Sequence, residues 1–140
     1  MIRFKGERVS VLKDSPFNGA GKIQVCNLIN GPEELLNCGR VLAHTIVYPG
    51  SSIGYHTHTG ENEIYYILKG KARFNDNGTM REIQAGDVTI TYPGEGHGIE
   101  AIGKEPVEMI ALILKEKKEK METTGFEPAV SALRTQRSPS

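Results

Sequence analysis

The sequence feature that most constrains the fold is a series of short strand-like runs separated by glycine and proline. The chain carries 16 glycines and seven prolines, and β-branched or aromatic residues cluster between them. Ten short strands with turn residues at this spacing predict an all-β domain, either a sandwich or a small barrel. The predicted strands are 8–12, 22–29, 40–48, 52–58, 63–69, 71–75, 79–84, 87–92, 97–102 and 107–114.

Two connecting segments carry specific turn signals. The pair Asn77-Gly78 in "FNDNGTM" predicts a two-residue β-hairpin, because both positions of such a turn need a positive φ. The segment "NGPEELLNCG" is the one helical turn expected before the C-terminal tail. Pro32 suits its first position and Gly39 can cap its end.

Composition limits the classes of function. Lys plus Arg equals Asp plus Glu at 17 each, and zero net charge argues against a nucleic-acid binder, which needs a basic face. No run of apolar residues is long enough for a membrane span. Because "MIRFKGERVS" lacks an apolar signal-peptide core, we expect a cytoplasmic protein in which Cys26 and Cys38 are reduced thiols.

The C-terminal segment differs in character from the rest of the chain. We expect residues 1–114 to form one β-domain and residues 115–140 to be a charged and polar tail, either disordered or a frayed helix. The alternative is a short helix that presents Phe126, Val130 and Leu133 on one face, by which it would dock on the domain or on a partner subunit.

The stretch "GYHTHTGENEIYYILKG", residues 54–70, carries two of the four histidines. His56 and His58 are two apart in a predicted strand, so their imidazoles share a face. A turn over residues 59–62 lets Glu63 open the next strand on the same side. A carboxylate aimed into an interior needs a cationic partner, and the neighbouring imidazoles suggest a metal ion.

His97 supplies a third imidazole. The turn in "PGEGH" follows the predicted strand 87–92 and returns the chain towards the same site. Three histidine nitrogens and one carboxylate suit Mn, Fe, Co, Ni, Cu or Zn, and suit Ca or Mg poorly. Four protein ligands leave two positions of a six-coordinate ion open, so the site suits catalysis or small-molecule binding.

Other polar residues near this pattern have competing interpretations. Glu61 could compete with Glu63 as a ligand, although a position inside the turn favours a solvated surface residue. His44 shares its face with Leu42, Ile46 and Tyr48, which favours a histidine in the core or in a subunit interface over a ligand.

Two tyrosines are the candidate catalytic residues. Tyr65 shares the predicted face of Glu63 and could donate a hydrogen bond or a proton into the cavity. Tyr92 lies in the turn that precedes His97 and could line the cavity mouth. Packing is the alternative role for both. Arg40 and Arg73 are candidate cations at the cavity, but strand parity does not place them.

These motifs resemble those of the cupins, a superfamily of small β-barrels. The first cupin motif, G-x5-H-x-H-x4-E-x6-G, is matched in spacing throughout by Gly50, His56, His58, Glu63 and Gly70. The second is matched in part by Gly86, Gly94 and His97, with Tyr92 where the family has proline and Ala101 where it often has asparagine. The resemblance implies a double-stranded β-helix, or jelly roll, with one divalent transition-metal ion per chain on His56, His58, Glu63 and His97.

The resemblance leaves two classes of function open. The first is a metalloenzyme acting on a small polar carbonyl or carboxylate compound, as a dioxygenase, decarboxylase, isomerase or lyase. The second is a binding module in which the metal holds a sugar or another metabolite, or stabilises the fold. Cupins generally dimerise through an outer sheet face. Since strands 63–69 and 107–114 are apolar on both faces, we also expect a homodimer.

Overall fold

The structure is a computed structural model that describes residues 1–117. This part of the chain contains ten strands and three short 3-10 helices. Nearly all of the predicted tail therefore lies outside the described residues. The 3-10 helices are Lys5–Glu7, Pro16–Asn18 and Pro32–Leu35. The strands are β1 (Ser10–Asp14), β2 (Lys22–Asn27), β3 (Gly39–Val47), β4 (Ser52–Thr57), β5 (Glu61–Lys69), β6 (Lys71–Asp76), β7 (Thr79–Gln84), β8 (Val88–Thr91), β9 (Gly96–Ala101) and β10 (Val107–Lys115).

The strands form two antiparallel sheets. One has the order β1-β2-β3-β10-β5-β8 and the other has the order β4-β9-β6-β7. Their inner faces enclose one hydrophobic core, to which both sheets contribute. The predicted all-β barrel with ten strands is therefore confirmed. Among residues 1–117, no helix is long enough and apolar enough to span a membrane.

Alternation along the central strands separates an inner face from an outer face. On β5, Glu63, Tyr65 and Ile67 are buried, and the residues between them point to the other side. β10 alternates in the same way and pairs with β5 along its length. The outer side of β5 carries Ile64, Tyr66 and Leu68, so both sides of this strand are largely apolar, as predicted.

The hairpin prediction is confirmed, whereas the predicted helix cap is wrong. Asn77 and Gly78 have φ values of 49° and 101° and join β6 to β7. The helical turn at Pro32–Leu35 is a 3-10 helix, which is short by nature. It ends at Leu36, whose φ is 54°, so Gly39 does not cap it and instead begins β3.

The turn before β5 is shorter than predicted. β5 begins at Glu61, where it pairs with Lys115 of β10, and the turn is confined to Thr59 and Gly60. Glu61 and Glu63 are therefore two apart within one strand, which places them on the same face. β1 also begins two residues later than predicted. Both cysteines are free thiols, as expected.

Candidate metal centre

His56, His58, Glu63 and His97 form one cluster between the two sheets. One potential ligand atom from each residue lies within 4.8 Å of the other three. His56 on β4 pairs directly with His97 on β9 in the smaller sheet, and Glu63 comes from β5 of the larger sheet. The structure thus brings together the four residues that the sequence nominated as ligands.

A change of register in β4 directs the histidines inward. The pairing of β4 with β9 shifts between Ile53 and His56, as at a β-bulge. Ile53 belongs to the core, and without the shift His56, three residues later, would face the opposite side. His58 follows at the end of the strand and is 5% exposed.

The inward atoms of the cluster lie close together. Nε2 of His58 is 2.9 Å from Oε1 of Glu63, and Nε2 of His97 is 3.1 Å from the same oxygen. Nε2 of His97 is also 3.1 Å from Nε2 of His58 and 3.2 Å from Nε2 of His56. Three imidazole nitrogens and a carboxylate oxygen therefore converge on one point.

Nδ1 of each histidine, which points away from the centre of the cluster, lies within hydrogen-bonding distance of an oxygen atom. Nδ1 of His56 donates to the carbonyl oxygen of Gly54 at 2.8 Å, and Nδ1 of His58 donates to the carboxylate of Glu61 at 3.1 Å. Nδ1 of His97 is 2.8 Å from Oγ1 of Thr91. Because a carbonyl and a carboxylate only accept, the neutral rings of His56 and His58 carry their proton on Nδ1 and turn the lone pair of Nε2 inward.

The electrostatics of the cluster favour a cation at its centre. Burial opposes ionisation of Glu63, but hydrogen bonds from His58 and His97, which form when Nε2 carries a proton, outweigh burial and lower the pKa of Glu63 to about 2. The hydrogen bond to Glu63 raises the pKa of His58, whereas burial lowers the pKa of His56. The lone pairs of the imidazole nitrogens and the ionised carboxylate repel one another unless a positive charge lies between them. Three imidazole nitrogens and one carboxylate oxygen are ligands that suit a divalent transition-metal ion.

Glu61 contacts the cluster, so the prediction that it is a solvated surface residue is wrong. Its side chain is 16% exposed and it accepts from His58. It also accepts from Nε and Nη2 of Arg40, at 2.9 and 2.7 Å, and the hydrogen bond from Arg40 lowers the pKa of Glu61. The strand parity that Glu61 shares with Glu63 is the signal that could have revealed this role.

Phe17 is a neighbour of the cluster that the sequence does not indicate. Its ring stacks on His56 with 3.8 Å between centroids and 10° between planes. Phe17 lies in the 3-10 helix Pro16–Asn18 with a φ of 52°. Gly54 permits this approach, because a Cβ at that position would collide with the carbonyl oxygen of Phe17.

A cavity of about 310 Å³ adjoins the cluster. His56, His58 and Glu63 line it, and so does Tyr65, one of the two candidate catalytic residues. The buried ring of Tyr65 stacks on His97, with 4.9 Å between centroids, and burial raises the pKa of its hydroxyl well above the usual range. Tyr92, the other candidate, is half-buried in the turn before β9 and does not line this cavity.

The remaining sequence candidates lie at three different places. Arg40 lines the cavity. Arg73 is on β6, where it contacts Glu100 on β9 at 3.2 Å. His44 is outside the cluster, on the outer face of β3, and its Nε2 is 2.9 Å from Oε1 of Glu108. His44 is therefore partnered and lies outside the cluster, but it is half-buried on the outer face and not in the core; its place in a subunit interface stays a prediction.

Comparisons with known proteins agree with the fold. The chain is 42% identical over 108 residues to the oxalate-binding protein of Thermotoga maritima, an alignment that covers 77% of this chain and 85% of the relative. A crystal structure of a predicted oxalate decarboxylase from Thermotoga maritima superposes with a TM-score of 0.78 at 38% identity, and the match covers 82% of this chain and 99% of that one.

A more distant structure shares the fold alone. The Cupin_2 domain of an XRE family transcriptional regulator from Enterobacter cloacae superposes with a TM-score of 0.57 at 16% identity, covering 77% of this chain and 98% of that one. The family model for the cupin domain, Cupin_2, matches residues 43–113, which contain all four residues of the cluster. The chain therefore belongs to the cupin family.

Proposed function

We propose that the protein binds one divalent transition-metal ion per chain, of Mn, Fe, Co, Ni, Cu or Zn, and uses it to hold a small carboxylate compound. The observation that carries this proposal is the convergence of three Nε2 atoms and one carboxylate oxygen, with every Nδ1 hydrogen-bonded behind them. His56, His58, Glu63 and His97 are the proposed ligands. The ion, when bound, would supply a Lewis acid with open coordination positions for ligand oxygens.

The cavity supports a small molecule as the partner of this site. It has the volume of a small-ligand pocket, and three of the four proposed ligands line it. A carboxylate is the proposed head group because anionic oxygens coordinate such ions well, and because a relative of 42% identity is named an oxalate-binding protein.

Binding is the function that we propose first, with catalysis as the second candidate. Within residues 1–117, the titratable side chains that line the cavity outside the cluster are Tyr65, Arg40 and Lys13. Because a general acid or base works best with a pKa near the operating pH, the raised pKa of Tyr65 makes its hydroxyl a poor proton-transfer group at neutral pH. The hydroxyl of Tyr65, kept protonated by burial, supports the enzyme hypothesis as a hydrogen-bond donor to a reacting oxygen.

Elemental analysis and calorimetry test the proposal together. The full chain purified without chelator should contain close to one equivalent of a transition metal, and the Co²⁺-loaded protein should bind carboxylates that the metal-free protein does not. Less than half an equivalent after reconstitution would overturn the proposal. Turnover of a panel of oxo- and hydroxy-acids by the metal-loaded protein would favour the enzyme over the binding module.

We also propose that two copies associate through the outer face of the six-stranded sheet, as a homodimer in the cytoplasm. The outer sides of β5 and β8 carry four large apolar residues that are 38–56% exposed, namely Tyr66, Leu68, Val88 and Ile90. Half-buried apolar residues of β10 and β3 continue this face across the sheet. A largely apolar face of this kind, which also carries the His44–Glu108 pair, is typical of an association surface, and a two-fold dimer would cover it with its own copy.

A further inference from the structure

The lining of the cavity beside the cluster combines two kinds of side chain. His56, His58 and Glu63 supply polar groups. Buried apolar side chains from β2, β3, β4 and β10 supply much of the rest. Six of these are Ile23, Ala43, Ile53, Met109, Ala111 and Ile113.

The size of the cavity exceeds the needs of a two-carbon acid. A volume of about 310 Å³ is equivalent to on the order of ten water molecules. Oxalate has about the volume of two or three water molecules and would leave most of the cavity to water. Removing the apolar wall from water is favourable in proportion to the apolar area covered.

The charges of the cavity favour a ligand with one anionic end. Arg40 lines the cavity, but its guanidinium is already bound through two nitrogens to Glu61. Lys13, the other cation of the lining, is exposed to solvent. A second carboxylate placed against the apolar wall would lose its hydration, and the solvent-exposed ammonium of Lys13, which lies opposite Ile23, would offset little of that cost. Thr45 and Asn27 offer neutral hydrogen-bonding groups in its place.

We propose that the ligand of this site is an amphipathic monocarboxylate, whose head group lies at the cluster and whose branched or aromatic hydrocarbon body fills the apolar part of the cavity. This inference rests on the metal-dependent carboxylate binding proposed above. It adds that the site binds a monocarboxylate with a hydrocarbon body more tightly than it binds a small dicarboxylate.

Two 2-oxo acids with the same head group isolate the contribution of the hydrocarbon body. Calorimetry of the full chain loaded with Co²⁺ should compare pyruvate with 4-methyl-2-oxopentanoate, which is pyruvate extended by an isopropyl group, and with oxalate. The branched acid should bind at least about tenfold more tightly than pyruvate, since even one methylene in an apolar pocket contributes a factor of this order. Equal affinity for the two oxo acids, or tightest binding of oxalate, would overturn the inference.

A substitution that fills the cavity supplies the matched variant. Ala43 is fully buried and lines the apolar part, so Ala43→Leu should reduce the ratio of affinities for the branched acid and for pyruvate to about one. Ala111→Leu makes the same test from β10 if Ala43→Leu does not fold. Retention of the full preference in a folded, metal-loaded variant would contradict the proposed position of the hydrocarbon body.

Metal content separates the two levels of failure. A protein that takes up no metal after reconstitution overturns the proposed function and this inference with it. A protein that binds Co²⁺ and pyruvate, yet shows no preference for the branched acid, overturns the inference alone.

Discussion

Glu61 accepts a hydrogen bond from Nδ1 of His58 at 3.1 Å. The same carboxylate accepts two hydrogen bonds from Arg40, which fix its position on β5. Arg40, Glu61 and His58 therefore form a continuous chain of hydrogen bonds that ends at the cluster. In such an arrangement, the carboxylate fixes the orientation of the imidazole and increases the basicity of its inward nitrogen.

The first prediction tests Glu61 as a positioning residue. Glu61→Gln should weaken metal binding by about tenfold, because an amide is a poorer acceptor for Nδ1 of His58 and cannot make the charged contact with Arg40. Competition of the protein with a chelator for Co²⁺ measures the effect, and the visible spectrum of bound Co²⁺ should change with the geometry of the site. The matched control is Glu100→Gln, which removes a carboxylate paired with Arg73 on the other sheet. Equal affinities for both variants would refute the positioning role.

The second prediction concerns the ligands themselves. His58→Ala should lower metal affinity by at least about 100-fold, more than the loss expected when a hydrogen-bonded neighbour of a ligand is removed. His44→Ala is the control, since His44 contacts Glu108 on the outer face and lies outside the cluster. Elemental analysis after dialysis should find metal in the His44 variant and little in the His58 variant. Similar metal contents would show that the cluster is not the binding site.

The sequence predicted the cluster because its four residues obey local rules. Strand parity placed His56 beside His58, and the spacing of glycine-rich turns placed Glu63 and His97 near them. The sequence predicts a turn two residues longer than the observed one, and a difference of that size moves Glu61 from β5 into a loop. The contact between Phe17 and His56 joins distant segments and depends on a left-handed backbone at Phe17, for which the sequence carries no local signal.

A third prediction concerns the proposed dimer. Ile90 is on the outer side of β8 and is 41% exposed, so Ile90→Lys should place a charge in the subunit interface and shift the protein towards the monomer. Met80→Lys, which adds the same charge at an exposed position of β7 in the other sheet, should leave the dimer intact. Light scattering over a range of concentrations measures both. A parent protein with a concentration-independent monomer mass would rule out the dimer.

The fourth prediction concerns the core. Ile67 is fully buried on β5, and Ile67→Ala should lower the free energy of unfolding by about 2–5 kcal/mol through lost burial and a residual cavity. The control is Leu36→Ala, because the side chain of Leu36 is 83% exposed. This variant should change the free energy of unfolding by less than about 0.5 kcal/mol. Urea unfolding of metal-free protein measures both without a contribution from bound metal. Equal losses in the two variants would contradict the inward orientation of Ile67.

The last prediction concerns the C-terminal segment. We propose that the domain ends near Leu114, because all ten strands and all four residues of the cluster lie within Ser10–Lys115. The backbone nitrogen of Glu116 still donates to the carbonyl oxygen of Gly60, next to the cluster, so a truncation should keep this residue.

Removal of residues 118–140 should therefore leave metal content unchanged and alter the melting temperature by less than about 5 °C, which corresponds to roughly 1 kcal/mol for a domain of this size. Differential scanning calorimetry of the full and shortened chains, each saturated with Co²⁺, makes the comparison. A larger fall would favour the alternative in which Phe126, Val130 and Leu133 pack on the domain or on a partner subunit, because burial of three apolar side chains contributes more than this amount. In that case, replacing those three residues together by serine in the full chain should lower the melting temperature by the same amount. If the charged residues between 118 and 125 stabilise the domain instead, the serine variant should keep the melting temperature of the parent.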